Sequence, residues 1–117
     1  MSTEAAERNT QFAANSPRFA DVVGPEPRLE RLVDVDAHEG PAYVQAEDAL
    51  YFTTVRAGSV SLKRLACATA TVTVVLPDAN NANGMTLDRE GRLVICEQGS
   101  RTTPARISRL DLVTGLR

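Results

Sequence analysis

"HEGPAYVQAEDALYFTTV", His38 to Val55, and "NANGMTLDREGRLVICEQG", Asn81 to Gly99, decide the fold. Each carries a polar residue followed by glycine, runs into a short apolar segment, breaks at an acidic turn and resumes as a second apolar segment. The correspondence extends beyond these stretches. Gly40 and Gly84 lie 44 residues apart, Leu50 and Leu93 43, Gly58 and Gly99 41, and Leu65 and Leu110 45. A unit of short strands recurring about every 40–45 residues has the period of a β-propeller blade.

The segments around the repeat agree with it. "PAYVQ", "ALYFTTV", "VSLKRLA", "TVTVVL", "GMTLD", "RLVICEQ" and "ARISRLDL" are rich in Val, Ile, Leu, Thr, Tyr or Phe, as strands are. Turn residues separate them at Gln45–Asp48, Ala57–Ser59, Asp88–Gly91 and Thr114–Gly115. No segment sustains the i, i+3, i+4, i+7 pattern of a long helix. The chain reads as all-β: an incomplete β-propeller of a little under two four-stranded antiparallel blades. "LERLVDV", Leu29–Val35, alternates well enough to predict a further strand. Residues 1–28, which end near "GPEP", read as an irregular leader with a short helical turn around Thr10–Ala14. Residues 29–117 read as the propeller part, with blade one at about 39–76 and blade two at about 83–117.

Composition narrows the function. A net charge of −2, a pI near 5.4 and scattered Lys and Arg exclude the basic stripe of a nucleic-acid binder. No apolar run approaches the roughly 20 residues that span a bilayer. Acidic residues stand where a signal peptide is basic, which predicts a cytoplasmic protein. Cys67 and Cys96 lie in apolar segments without CxxC spacing and read as reduced core thiols. Tyr43, Tyr51 and Phe52 read as packing residues within the blades. "DVD" at Asp34–Asp36 is no EF-hand, because Glu39 stands where that loop needs Gly and Gln45 where it needs Glu.

In a propeller the first strand of each blade lines the central channel. The repeat puts Glu39 and Asn83 just before the glycines that start those strands. Two oxygen-bearing side chains at one axial point suit a hard cation. Asn83-Gly84 alone also fits a hairpin turn.

"AHEGPAYVQAEDALYFTTV" followed by "NANGMTLDREGRLVICEQGSRTTPARISRLDLVTG" resembles the SMP-30/gluconolactonase/LRE-like family from about residue 29 onward. The resemblance rests on the EGP element, the ANG-x-x-x-D-x-x-G-R-L element and the CEQG-to-RLD stretch, in order. It implies a six-bladed propeller that hydrolyses a small-molecule lactone with a divalent metal, Ca²⁺ first, with Mg²⁺, Mn²⁺ or Zn²⁺ as alternatives. Glu39 looks like the family's axial metal ligand, and Asn83 like a substrate-pocket residue. His38, Glu97 and Arg101 lie near the same end without an assigned role.

Six blades need about 240–270 residues. The family's later asparagine ligand and its aspartate ligand and base have no counterpart here, so no catalytic residue is assigned. The expectation is a truncated lactonase, inactive alone, with a further chain supplying the missing blades. The alternative is a non-enzymatic β module that pairs through exposed strand edges.

Overall fold

The structure, a computed structural model, describes residues 12–117. The chain divides into two units, Met1–Leu32 and Val33–Arg117. In the first, the described residues carry one short helix, α1 (Phe19–Val23), none of whose residues is buried. It ends at Gly24, whose N–H donates to the Ala20 carbonyl at 2.8 Å. The helical turn expected around Thr10–Ala14 falls partly outside the described residues, and Ala13 and Ala14 are not helical.

The second unit holds seven strands. β1 (Glu39–Val44), β2 (Ala49–Arg56), β3 (Ser59–Ala66) and β4 (Thr71–Leu76) form one antiparallel sheet in chain order. β5 (Ala82–Leu87), β6 (Leu93–Glu97) and β7 (Arg106–Leu110) form a second, also in chain order. Two antiparallel sheets built as meanders make this an all-β partial propeller. All seven apolar runs became strands; burial alternates along the second half of β1 and along β6, whereas β2 is buried on successive residues from Tyr51 to Thr54.

The turns are where the sequence placed them. A 3₁₀ turn covers Gln45–Glu47 and ends at Asp48 in the left-handed region. Asp88 Oδ1 accepts the backbone N–H groups of Glu90 and Arg92, both at 2.9 Å, and so closes the β5–β6 turn. Between β2 and β3, Arg56 pairs with Ser59 across Ala57 and Gly58. Both turn residues have positive φ, 51° and 78°. That is the two-residue type I′ geometry, for which Asn-Gly is the preferred pair. Replacing Ala57 with Asn should therefore stabilise the unit by roughly 0.5–1 kcal/mol, read as a higher urea midpoint at unchanged slope.

The core lies between the two sheets. Ala42, Val44, Tyr51 and Leu62 of the first sheet cluster with Ala82, Leu93, Ile95 and Leu110 of the second. Leu62, Leu93 and Ile95 are wholly enclosed, and burial of each contributes about 1.5–3 kcal/mol.

Three expectations need correction. Leu29–Val35 is not a strand. Leu29 and Leu32 are exposed, and among the described residues no strand pairs with the segment, so its backbone has no ladder to join. Cys96 is exposed and Cys67 half-buried, both free thiols. Cys96 alternates with the buried Ile95 and Glu97, which turns it to the open face. Tyr43 is likewise 51% exposed, its hydroxyl donating to Asp48 Oδ1 at 2.8 Å, whereas Tyr51 and Phe52 are buried as expected.

Candidate functional site

Glu39 is the first residue of β1, and its side chain is 43% exposed. Its backbone is fastened by one threonine. The Glu39 N–H donates to Thr53 Oγ1 at 3.2 Å, and that hydroxyl donates to the Glu39 carbonyl at 3.0 Å. The Thr53 carbonyl accepts the His38 N–H at 2.8 Å. Thr53 is completely buried. His38 stands beside the carboxylate, Nε2 to Oε1 3.7 Å.

β1 and β5 share a local irregularity. The β1–β2 register shifts between Glu39 and Ala42, and the β5–β6 register shifts between Ala82 and Met85. Each shift lets two residues of the innermost strand oppose one on its neighbour, which is a β-bulge. Bulges re-aim side chains at the rims of sheets. Asn83 lies in the second of them, as a half-buried strand residue and not as a hairpin turn.

The bulges meet. Gly40 has φ +65°, and a Cβ built there would stand 2.2 Å from the Asn83 carbonyl oxygen. Only glycine allows the two backbones to approach so closely. Glu39 and Asn83, from different sheets, thus stand at one end of the unit on touching strands.

A second polar cluster braces the loops flanking Asn83. Asn80 and Asn81 both have positive φ, 51° and 54°, a conformation asparagine tolerates better than most residues. Asn80 Nδ2 donates to Glu97 Oε1 and to the Pro104 carbonyl, both at 3.1 Å. Asn81 Nδ2 donates to the Gly99 carbonyl at 2.7 Å. Glu97 Oε1 also accepts Arg106 Nε at 3.0 Å and lies 2.5 Å from Arg117 Nη2. Burial alone would raise the Glu97 pKa, but the donors of Ser108, Arg117 and Asn80 outweigh it and hold the carboxylate at about 2. Glu97 Oε2 and Asn80 Oδ1 are buried without partners among the described residues.

Sequence reasoning singled out Glu39 and Asn83, and the structure brings their strands together. It gave Glu97 no role, and Glu97 is the acceptor at the centre of a buried network. Arg101 lies exposed in the loop beyond Glu97. Thr53 was missed. The available signal was a threonine pair inside the apolar run "ALYFTTV", where a buried hydroxyl must find a partner.

The donor set suits a hard cation in kind but not in number. A Ca²⁺ ion takes six to eight oxygens. Among the described residues no group of three or more His, Cys, Asp or Glu side chains could hold a metal ion. Glu39 is half-exposed beside His38, whereas Glu97 is already paired with Arg106. These residues do not complete a metal site.

No family model and no curated protein matches the chain. Among solved structures, it is similar to an X-ray structure whose own assignment as a gluconolactonase is provisional. The two share 27% sequence identity at a TM-score of 0.65, over 88% of this chain and 33% of that one. This chain spans a third of the length of the structure it matches. The likeness supports the resemblance to the SMP-30/gluconolactonase/LRE-like family and the propeller reading of the two sheets.

Proposed function

We propose that residues 29–117 supply a little under two blades, about 39–76 and a truncated second at about 83–117, to a gluconolactonase-like hydrolase of sugar or related lactones. Glu39 presents its carboxylate at the channel mouth, as a contributor to a divalent-cation site that other blades complete, with Ca²⁺ the favoured ion. Asn83 lines the substrate pocket. A half-exposed carboxylate accepts hydrogen bonds from sugar hydroxyls, and a carboxamide both donates and accepts, so the pair can orient a polyhydroxylated ring. The reading places the protein in the cytoplasm. The observation that supports it is the close approach of Gly40 to the Asn83 carbonyl on neighbouring strands, beside the likeness to a gluconolactonase-like structure.

A second reading, a β module that pairs with another polypeptide, is favoured by the edge strands. Val74 on β4 and Ile107 on β7 are 57% and 68% exposed. Unpaired edges with apolar side chains recruit further strands.

Hydrolysis assays separate the two. The 117-residue chain alone should hydrolyse aldonolactones no faster than buffer. Fused to the remaining two-thirds of its structural relative, it should give turnover that a chelator abolishes. Glu39→Gln should lower that turnover by about two orders of magnitude, the scale of losing one preorganised polar group. A folded, active fusion indifferent to Glu39→Gln would remove Glu39 from the site.

A further inference from the structure

We propose that Thr53 is a positioning residue that fixes the direction of the Glu39 carboxylate. The inference rests on Glu39 belonging to the site. The bulge at Gly40–Pro41 interrupts the ladder next to Glu39, so regular pairing does not by itself determine where its side chain points. Thr53 takes over that task. Its hydroxyl closes a two-way bond with the Glu39 N–H and carbonyl, and its own carbonyl holds the His38 N–H. Three hydrogen bonds from one buried residue clamp the dipeptide that carries the carboxylate.

The residue type fits the task. A strand threonine is stiff about χ1 because two heavy atoms branch from Cβ, so its hydroxyl is held in place before Glu39 docks. Enclosure keeps water from competing for that hydroxyl. Serine would keep the hydroxyl with less stiffness. Valine would keep the shape and lose both side-chain bonds.

Nuclear magnetic resonance of the 117-residue chain tests the clamp without any need for turnover. In Thr53→Val the Glu39 amide should exchange with solvent about tenfold faster or more, the cost of one hydrogen bond. The His38 amide, held by the Thr53 backbone, should keep its protection. His38 is the only histidine in the chain, so its ring protons give single, assignable signals. Their nuclear Overhauser contacts to the Glu39 Cγ protons should be present in the wild type, lost in Thr53→Val and restored in Thr53→Ser. Unchanged Glu39 exchange in Thr53→Val would overturn the proposal. So would faster exchange with the ring contacts intact, which would make Thr53 a backbone brace only. Failure of the lactone assays on Glu39→Gln would remove the function of the carboxylate and leave these clamp measurements standing, so the two readings fail separately.

Discussion

Gly40→Ala is expected to cost the second unit about 3–5 kcal/mol and to separate Glu39 from Asn83. The added methyl would stand 2.2 Å from the Asn83 carbonyl oxygen, well inside van der Waals contact. The obstacle is backbone in the neighbouring sheet, so relief requires β1 and β5 to move apart. That movement opens the core between Ala42, Val44 and Ala82, and cavity creation on that scale is expensive. A residue at φ +65° with a side chain adds about 1 kcal/mol of conformational strain. Thermal and urea unfolding of Gly40→Ala beside wild type give the measure. A loss under 1 kcal/mol would mean that the strands do not touch there.

Glu97→Ala should cost about 2–3 kcal/mol, nearly as much. Removing the carboxylate leaves donors of Asn80, Arg106 and Arg117 without their shared acceptor. Breaking a buried ion pair costs about 3–5 kcal/mol when both partners are enclosed. The Arg106 side chain is 48% exposed, so water recovers part of that. The same network dictates a pH dependence. Glu97 is held at about 2, against 4.5 for an unperturbed glutamate, so its contribution is complete above pH 4.5. It is lost as pH falls from there toward 2. Unfolding midpoints of the wild type should decline over that window, and those of Glu97→Gln should decline less.

The strands were legible because the apolar runs are short, rich in β-branched and aromatic residues, and broken by turn residues. Gly58 and the Asp88 loop are the clearest cases, since a glycine at positive φ and a side-chain acceptor leave direct marks in sequence. The segment Leu29–Val35 misled for the opposite reason. Its alternation is real, but a strand also needs a partner, and partnership is not written in one segment. Cys96 and Tyr43 show a related limit. Apolar character says that a residue can be buried, whereas the register decides which face it takes.

The two residues proposed for the site could be picked out in the sequence, whereas the residues that brace them could not. Glu39 and Asn83 stood out through the repeat and the family resemblance. Thr53, Gly40 and Glu97 act through distances of under 4 Å between residues 14 to 43 positions apart, and no local pattern encodes those. Thr53 looks like an ordinary β-branched strand residue until its hydroxyl is found between the Glu39 amide and carbonyl.

β1 and β5 touch at Gly40 and Asn83, and the proposed pairing of Glu39 with Asn83 depends on that contact. Nuclear Overhauser contacts in the uniformly labelled chain test it directly. Strong contacts between the Gly40 Hα protons and the backbone amide of Gly84, which follows the Asn83 carbonyl, are the predicted result. Intact contacts within each sheet with none between Gly40 and residues 83–85 would contradict it, and would leave two separate sheets with no common site.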